Sequence, residues 1–398
     1  MTDQCIILAG GAGQRLGEIT KKTPKPLIKI KDTHFIEYVI QNFYRQGIRN
    51  FLILTWYKSE KFKFNKLEKS LKNTKIRVIK EKNKLGTAGT LRNSIKYLNK
   101  SFFVTNADTF FDINIRDLEY FTNNNNSDIG VALTPSLLHK NYFSYEINKN
   151  KIVTKYKISN KTNKLVCGGI YFFKKKIINK LELKNLDIDS DIIKKNFNLK
   201  KKITAKIYKN SFIDIGSKLS LKKAPNFINK NINKACVFLD RDGVINQDLG
   251  YVHKPSQIMW RENIFKTIKF LNDNNIRVIV VTNQAGIAKG KYNENDFLFL
   301  TDWINKECIK RGSFIDQTYY CPYHPKSKIK KYKKKSVLRK PNNGMIERAF
   351  KDWKIKRKKS IIIGDKKIDI IAGKKSKIKA YYVEKDIFKQ VKRIINNF

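Results

Sequence analysis

Residues 235–246 read ACVFLDRDGVIN, an apolar run that ends in two closely spaced carboxylates. The apolar residues Ala235 to Leu239 predict a buried strand, and Asp240 and Asp242 would then lie on the loop that leaves it. Open α/β sheets bind their ligands at the carboxyl ends of the strands. Two acids that are two residues apart in an extended loop can face the same site. The sequence therefore predicts a centre of carboxylate chemistry at this loop.

Two close carboxylates suggest chemistry on a phosphate. A carboxylate can attack phosphorus to give an aspartyl-phosphate, and a second carboxyl group can protonate the leaving oxygen and later activate water. Two close acids repel each other unless a cation lies between them, and Mg²⁺ would also neutralise a substrate phosphate. A third acid is therefore expected nearby. Asp365 supplies it, because it ends the strand-like segment 361–364, and Asp369 follows.

Two further polar positions fit the same site. Thr282 and Asn283 end the strand-like run that begins at Val278, and their donors suit phosphate oxygens. Lys340 could balance the negative charge of nucleophile and phosphate. Each feature alone has a structural explanation, since Asp-Gly runs form turns, Thr-Asn can cap a helix and a single lysine is usually solvated. Their joint occurrence, mostly at strand ends, favours a functional site.

An alternation of apolar runs, loops and helix-like segments extends along the chain and is typical of mostly parallel α/β sheets. In the first half the apolar runs are residues 5–9, 51–55, 76–79, 102–106 and 129–134. A polar stretch around Pro225 reads as a linker. We therefore predict an α/β fold of two domains, residues 1–225 and 235–398, joined by a linker at 226–234.

A glycine-rich loop at residues 10–13 begins where the first apolar run ends. Glycines let the backbone approach a polyphosphate closely, and Arg15 can bind the polyphosphate through two hydrogen bonds. Lys25 lies between two prolines and adds a stiffly placed cation. A second run of small residues, 85–90, can let a base lie against the backbone. The metal candidates of this half are Asp108 and Asp214.

The composition narrows the functional classes. No apolar stretch approaches the roughly 20 residues that span a bilayer, and no signal peptide opens the chain, so we expect a cytoplasmic protein without a membrane partner. The net charge of +50 comes from lysines spread along the chain, which favours a basic surface that attracts phosphorylated small molecules over a specific nucleic-acid site. The five scattered cysteines favour buried thiols over disulfides. The oligomeric state leaves no signal in the sequence.

Residues 235–398 resemble the haloacid dehalogenase (HAD) superfamily, and more closely its histidinol-phosphate and D,D-heptose 1,7-bisphosphate phosphatases. The motifs are DRDGVIN (240–246), GYV (250–252), TNQAGIA (282–288), CPYHP (321–325), RKP (339–341), GM (344–345) and GD (364–365). The resemblance implies a HAD-type Rossmannoid domain with Asp240 as nucleophile and Asp242 as general acid and base. The implied Mg²⁺ ligands are Asp240, Asp365 and the main-chain carbonyl of Asp242, and the implied substrate contacts are Thr282, Asn283, Arg339 and Lys340.

One departure from that family concerns a zinc loop. Members usually carry C-x-H and then C-x-C before the RKP motif. This chain keeps Cys321 but has Tyr323 at the histidine position. Ser336 and Leu338 stand at the later cysteine positions. His324 could pair with Cys321, yet a closed zinc site requires four ligands, so we expect no structural zinc.

Residues 4–225 resemble the sugar-1-phosphate nucleotidyltransferases, in particular the heptose- and mannose-1-phosphate guanylyltransferases. The motifs are GGAGQRL (10–16), PKP (24–26), LGTAG (85–89), NAD (106–108), GGIY (168–171) and FIDIG (212–216). The resemblance implies a Rossmann-like domain with a mixed, mostly parallel sheet, in which a sugar phosphate oxygen attacks the α-phosphorus of a nucleoside triphosphate. Arg15 and Lys25 would stabilise the phosphates, with Mg²⁺ on Asp108 and Asp214. The implied substrate contacts are Leu8, Gly10, Gly11, Gly13, Gly86, Thr87, Ala88 and Gly169.

The two resemblances together imply a bifunctional enzyme of sugar-nucleotide biosynthesis. The second domain would remove the 7-phosphate of D-glycero-D-manno-heptose 1,7-bisphosphate, and the first would couple the 1-phosphate to GMP. The alternatives are another sugar phosphate or histidinol phosphate as substrate, and a first domain without turnover. Relatives commonly carry a Glu-Lys pair within 152–164, which Lys157 or Lys161 would have to replace here. A nucleic-acid-binding protein and a non-catalytic nucleotide-binding scaffold are the alternatives from other classes.

Overall fold

Short apolar runs rich in β-branched and aromatic residues form the strands, because those side chains pack well on a pleated surface. The computed structural model describes residues 2–136, 142–159 and 164–397. The chain divides into two units, Met1–Asn231 and Ile232–Phe398. Each unit has its own main sheet.

The first unit is built on a mixed sheet. The strands of this unit are β1 (Gln4–Leu8), β2 (Lys29–Ile30), β3 (Thr33–His34), β4 (Asn50–Thr55), β5 (Lys75–Lys80), β6 (Ser101–Asn106), β7 (Thr109–Phe111), β8 (Ile129–Ser136), β9 (Tyr142–Ile147), β10 (Val153–Ser159), β11 (Lys164–Lys174), β12 (Ile203–Ile207) and β13 (Phe212–Asp214). Strands β2 and β3 form a separate two-stranded sheet, as do β7 and β13. Strands β6, β1, β4 and β5 are parallel neighbours in that order. Strand β11 pairs antiparallel with β6, β8 and β9. The loops that follow the four parallel strands therefore open at one edge of the sheet.

Helices cover this sheet with apolar stripes. They are α1 (Glu18–Lys22), α2 (Phe35–Tyr44), α3 (Asn65–Ser70), α4 (Gly86–Asn93), α5 (Ile115–Asn124), α6 (Lys176–Asn179), α7 (Lys195–Asn198) and α8 (Lys218–Ile232). In α2, Phe35, Val39 and Phe43 are buried at the four-residue spacing of one helix face.

A short antiparallel pair, β7 with β13, places Asp214 opposite Thr109.

Helix α8 occupies residues for which the sequence predicts a linker. It continues through Pro225 to Ile232, and residues 226–232 are therefore helical. The physical reason is an apolar stripe, because Ala224 and Ile228 are buried one turn apart. The ring of Phe227 also stands edge-on to Phe110, with centroids 6.3 Å apart. These contacts fix the helix to the first unit.

The second unit is a wholly parallel sheet with helices between its strands. The strands are β14 (Cys236–Leu239), β15 (Arg277–Asn283), β16 (Gln317–Cys321), β17 (Ile361–Gly364) and β18 (Lys379–Tyr382), in the order β16-β15-β14-β17-β18. The helices are α9 (Ile264–Asp273), α10 (Ala285–Ala288), α11 (Glu294–Lys310), α12 (Gly344–Asp352), α13 (Lys367–Lys375) and α14 (Ile387–Ile395). Val237 and Leu239 pack into one core and Phe238 into another, so the central strand β14 is covered on both faces.

The α/β class predicted from the sequence is confirmed in both units. All five cysteines are unpaired in the structure, and all but Cys167 are buried. Within the described ranges, no helix is both long and apolar enough to cross a membrane.

Candidate active sites

Three carboxylates meet at the carboxyl edge of the second unit's sheet. Asp240 follows the central strand β14, and Asp365 and Asp369 follow its neighbour β17. One oxygen of each acid lies within 4.8 Å of the others. Lys340 enters this group, with Nζ 2.9 Å from Asp240 Oδ1 and 2.6 Å from Asp369 Oδ1. It also donates to the carbonyl oxygen of Val281 at 2.8 Å.

The electrostatics of this cluster suit a divalent cation. Burial raises the pKa of Asp240 to about 6, with Lys340 opposing the shift and Asp369 adding to it. Burial also raises the pKa of Asp365. Burial alone would lower the pKa of Lys340, but Asp240 and Asp369 outweigh it and raise that pKa. Asp365 Oδ1 is buried and has no hydrogen-bond donor among the described residues. Two ammonium groups border the three acids, Lys340 and Lys366, whose Nζ lies 3.7 Å from Asp365 Oδ2. The hard carboxylate oxygens still outnumber these cations and fit a divalent metal.

Asp242 faces a different set of groups. The guanidinium of Arg241 donates to both carboxylate oxygens, at distances of 2.9 to 3.1 Å. Asn246 Nδ2 donates to Oδ1 at 3.1 Å, and Gln284 Nε2 donates to Oδ2 at 3.2 Å. The same Gln284 amide donates to Thr282 Oγ1 at 2.8 Å. Gln284 therefore connects the two predicted site residues Asp242 and Thr282.

The side chain of Asn283 forms hydrogen bonds with the main chain of Lys340. Its Nδ2 donates to the Lys340 carbonyl oxygen, and the Lys340 N–H donates to Asn283 Oδ1, both at 3.0 Å. The side chain thus holds the Lys340 peptide from both sides. In this structure Asn283 positions Lys340, while Nδ2 carries a second hydrogen, so the predicted contact with a substrate phosphate stays a prediction.

Replacing Asn283 should lower turnover more than binding. We expect Asn283→Ala to reduce kcat for phosphate release about 10- to 100-fold, because Lys340 Nζ would lose its fixed position beside Asp240. Steady-state kcat and KM of the purified protein test this. Asn274→Ala, at the exposed end of α9, is the control variant. An unchanged kcat for Asn283→Ala would contradict the positioning role.

The loop that resembles a degenerate zinc loop is held by aromatic and ionic contacts. Glu294 accepts hydrogen bonds from the hydroxyls of Tyr320 at 3.0 Å and Tyr332 at 2.8 Å. Lys334 Nζ lies 3.9 Å from the ring centroid of Tyr323. Among the described residues, the acids Asp240, Asp365 and Asp369 are the single group of three or more potential ligands close enough to share an ion.

These contacts predict how the loop behaves without zinc. We expect less than about 0.1 zinc per chain in purified protein by elemental analysis, because four ligands are not assembled. We also expect Glu294→Gln to speed tryptic cleavage within the lysine-rich residues 326–335, because it weakens the two tyrosine contacts. Asp296→Asn, in the same helical turn, is the control for helix damage. Stoichiometric zinc would contradict the first expectation.

A cavity of about 520 Å³ opens at the carboxyl edge of the first unit's parallel strands. It is lined by Leu8, Ala9, Gly10, Gly11, Gly13, Gln14, Arg15, Lys25, Pro26, Leu54, Trp56, Glu81, Lys84, Gly86, Thr87, Thr90, Asn106, Asp108, Asp214 and Gly216. The loops after β1, β4, β5 and β6 all contribute to it, as the strand order requires. It has the size and position of a small-molecule site.

One end of the cavity is charged. Lys25 is buried and bridges two carboxylates, with Nζ bonded to Asp108 and 3.2 Å from Asp214 Oδ1. The N–H of Gly216 donates to Asp214 Oδ1 at 2.6 Å. A Cβ on Gly216 would lie 2.8 Å from Lys25 Nζ and 2.9 Å from an Arg15 guanidinium nitrogen. Two cations and two acids therefore converge where phosphates and a metal ion could bind together.

The small-residue run at 85–90 forms the start of α4. Gly86 has a φ of +70°, and a Cβ there would lie 2.3 Å from the Leu186 carbonyl oxygen. The Thr87 hydroxyl donates to Asp187 Oδ2 at 2.9 Å and accepts from the Ile188 N–H at 2.8 Å. Glycine is thus required for close packing on the segment that carries Leu186, and the cavity wall is fixed by it.

Two family models match the chain. A model described as Nucleotidyl transferase matches residues 4–231, which is more than half of the chain, and one described as HAD-hydrolase-like matches residues 337–394. The chain belongs to the nucleotidyl transferase family. We call the first unit the transferase unit.

Curated relatives match the second unit. The D-glycero-alpha-D-manno-heptose-1,7-bisphosphate 7-phosphatase of Burkholderia mallei is 44% identical over 137 residues, which are 34% of this chain and 72% of the relative. The enzyme of the same name from Photorhabdus laumondii is 38% identical over 148 residues, 37% of this chain and 81% of the relative. The D-glycero-beta-D-manno-heptose-1,7-bisphosphate 7-phosphatase of Haemophilus influenzae is 39% identical over 148 residues, 37% of this chain and 79% of the relative. The second unit is accordingly a phosphatase unit of that HAD family, fused to the transferase unit.

Solved structures agree with the fold of the transferase unit. HddC from Yersinia pseudotuberculosis is 24% identical with a TM-score of 0.50, and the match covers 57% of this chain and 100% of HddC. The same protein complexed with GMP-PN gives the same values. The expected Rossmann-like transferase domain with a mixed sheet is confirmed.

Most of the predicted contacts in the transferase unit line its cavity. They are Leu8, Gly10, Gly11, Gly13, Arg15, Lys25, Gly86, Thr87, Asp108 and Asp214. Ala88 does not line it, because its side chain is fully buried in the apolar core. Gly169 also lies outside the lining, but a Cβ there would be 3.0 Å from Asn106 Nδ2, so it leaves room for that side chain. Lys157 is exposed on β10, and Lys161 lies outside the described residues.

In the phosphatase unit the structure brings Asp240, Asp365 and Lys340 together. Arg339 is half-buried, and its guanidinium donates to the Tyr323 carbonyl oxygen at 3.4 Å. Desolvation on burial lowers the pKa of Arg339.

Sequence reasoning missed several groups of the two sites. The sequence indicates Asp369 only as the next acid after Asp365, although it contacts Lys340 directly. Gln284 stands within the motif at 282–288 without a role of its own, yet its amide holds Asp242 and Thr282. Trp56 and Glu81 line the transferase cavity. Both follow predicted strands, so the rule that ligands bind at strand ends could have found them.

Proposed function

We propose that the phosphatase unit hydrolyses the 7-phosphate of D-glycero-D-manno-heptose 1,7-bisphosphate, and that the transferase unit then transfers GMP to the resulting heptose 1-phosphate. One observation carries this proposal. The phosphatase unit spans 72–81% of curated heptose-bisphosphate 7-phosphatases, and it is fused to a transferase of the class that consumes sugar 1-phosphates. The product of the first reaction has the phosphate that the second requires.

In the phosphatase unit, Asp240 would attack the phosphorus at position 7 and form an aspartyl-phosphate. Asp242 would protonate the leaving sugar oxygen and then take a proton from the water that hydrolyses the aspartyl-phosphate. Lys340 balances the negative charge of Asp240 and of the transferring phosphate. Mg²⁺, held by Asp240, Asp365 and the main-chain carbonyl of Asp242, would supply electrostatic stabilisation when bound.

The arrangement of the phosphatase site supports these roles. Asp365 keeps a buried oxygen free of hydrogen-bond donors among the described residues, as a metal ligand requires. Asp369 contacts Lys340, and we assign it to positioning that ammonium group. The hydrogen bonds from Arg241 and Gln284 fix the carboxyl group of Asp242 in one orientation. Thr282 and Arg339 are proposed substrate contacts.

In the transferase unit, an oxygen of the heptose 1-phosphate would attack the α-phosphorus of a nucleoside triphosphate, and pyrophosphate would leave. Arg15 and Lys25 would stabilise the negative charge on the phosphates. Asp108 and Asp214 would hold Mg²⁺, which screens the charge between the two substrates. No protein nucleophile is needed, so the unit contributes positioning and electrostatics. We propose guanosine because the unit resembles heptose-1-phosphate guanylyltransferases, and we propose the cytoplasm, which supplies nucleoside triphosphates.

One incubation tests both halves. The protein is mixed with Mg²⁺, each anomer of the heptose 1,7-bisphosphate and each nucleoside triphosphate in turn, and the products are identified by mass. We expect one phosphate per heptose, followed by GDP-heptose and pyrophosphate. Histidinol phosphate and mannose 1-phosphate are the comparison substrates. Faster hydrolysis of histidinol phosphate than of both bisphosphates would contradict the proposed substrate.

A further inference from the structure

The side-chain amide of Gln284 is hydrogen-bonded on its nitrogen and on its oxygen. Nε2 donates to Asp242 Oδ2 at 3.2 Å and to Thr282 Oγ1 at 2.8 Å. Oε1 accepts a hydrogen bond from the hydroxyl of Tyr292 at 2.5 Å. Because Nε2 has two hydrogens and both are used, the Tyr292 hydroxyl is the donor in this third contact. A tyrosine outside the motif at 282–288 therefore completes the network that reaches Asp242.

The packing around Tyr292 fixes its hydroxyl in place. Tyr292 lies shortly after α10 and is only 8% exposed. A Cβ on Gly286 would lie 2.2 Å from the tyrosine ring and 2.9 Å from its hydroxyl oxygen, so the glycine leaves the space that the tyrosine fills. The ring of His253 stacks on it, with centroids 5.0 Å apart. Burial raises the pKa of Tyr292 to about 12, so the hydroxyl keeps its proton near neutral pH.

Gln284 connects the loop that carries Asp242 to a neighbouring strand. Asp242 receives hydrogen bonds from Arg241 and Asn246, which lie on the same loop, and from Gln284, which follows β15. Gln284 is 1% exposed, so water does not readily replace a lost partner. Without the Tyr292 hydroxyl, Oε1 would be buried without a donor, and the amide would move toward another partner. The contact with Asp242 would then be lost or lengthened.

We propose that Tyr292 is a positioning residue of the phosphatase reaction, which holds the Gln284 amide and, through it, the carboxyl group of Asp242 at the leaving oxygen. This inference rests on the proposed function, in which Asp240 forms a bond to phosphorus while the bond from phosphorus to the sugar oxygen breaks. The proton of Asp242 goes to that sugar oxygen. Proton transfer requires the two oxygens to lie within hydrogen-bond distance, so a displaced carboxyl group slows this step.

The test compares two leaving groups. The sugar oxygen of the heptose bisphosphate needs a proton as it leaves, whereas 4-nitrophenyl phosphate releases a stable phenolate that does not. If neither anomer of the bisphosphate reacts, histidinol phosphate takes its place, because its leaving group is also an alcohol. The kcat/KM value covers the steps up to the breaking of the bond between phosphorus and the leaving oxygen.

Tyr292→Phe removes the hydroxyl and keeps the ring. We expect kcat/KM for the sugar substrate to fall about 10- to 100-fold, which is part of the contribution of a general acid. The loss should be in kcat, with KM within about twofold of normal. For 4-nitrophenyl phosphate, kcat/KM should change less than about threefold, which also shows that the unit is folded.

Two further variants serve as controls. Tyr319→Phe is the matched one, because Tyr319 is 7% exposed and donates to Asp352 at 2.8 Å, outside the proposed site. It should hydrolyse both substrates normally. In a Gln284→Leu background, Tyr292→Phe should cause no further loss, because the hydroxyl then has no amide to hold. Losses that multiply in the double variant would overturn the inference.

Asp242→Asn separates the failure of this inference from a failure of the proposed function. It should show the same selective loss as Tyr292→Phe, to a larger extent. If Asp242→Asn is selective but Tyr292→Phe slows both substrates equally, or neither, the inference is overturned and the acid role of Asp242 stands. If Asp242→Asn itself slows both substrates equally, Asp242 is not the acid, and the inference is overturned together with that part of the proposed function.

Discussion

Asp240→Asn should abolish phosphate release while nucleotidyl transfer continues. The amide cannot attack phosphorus, and the loss of a nucleophile costs a factor of about 10⁴ or more in kcat. The replacement keeps the shape of the side chain, and Lys340 retains its contact with Asp369, so the cluster should stay assembled. The measurement is phosphate released from the heptose bisphosphate, with transfer assayed separately from heptose 1-phosphate and GTP.

The matched control for this variant is Asp302→Asn, in the exposed face of α11. It should leave phosphate release unchanged. Release by Asp240→Asn at more than about a hundredth of the normal rate would contradict the nucleophile assignment, because no other group in the proposal forms the covalent intermediate.

Asp108→Asn should have the opposite effect, a loss of nucleotidyl transfer with phosphate release retained. We expect nucleotide-heptose formation to fall about 10³-fold, because the proposed metal ligand is weakened and Lys25 loses one of its two carboxylate partners. Phosphate release from the bisphosphate should continue at the normal rate. Products from the complete incubation would then stop at heptose 1-phosphate, which mass spectrometry detects directly.

Asp32→Asn, an exposed position of the transferase unit, is the control for the second variant. A loss of both activities in Asp108→Asn would point to misfolding, and thermal unfolding of the variant would show it. Normal transfer by a folded Asp108→Asn protein would remove Asp108 from the proposed metal site.

Ligands of open α/β sheets bind at the carboxyl ends of the strands, and this rule explains why many residues of both candidate sites could be predicted. Asp240, Asp365 and Asp108 each follow an apolar run that became a strand, and parallel strands bring their carboxyl ends to one edge. The rule needs only local patterns, which the sequence displays. Glu81 follows the predicted run 76–79 in the same way and was accessible to the same reasoning.

The remaining groups depend on contacts between distant segments. Asn283 and Lys340 are 57 positions apart, and nothing local shows that their amide and peptide groups pair. Ala88 adjoins the cavity residue Thr87, but the turn of α4 directs it into the core. Neither the pairing of Asn283 with Lys340 nor the burial of Ala88 follows from residue type or spacing, because each depends on the packing of the whole unit.

Helix α8 has a practical consequence for producing the two activities as separate proteins. Division after residue 225 would remove Phe227 and Ile228 from the transferase fragment and expose the apolar surface that they cover. That fragment should express poorly or aggregate. Division after Asn231 keeps the helix nearly whole and leaves β14 intact for the phosphatase fragment. The position of the cut decides whether two separate enzymes can be obtained.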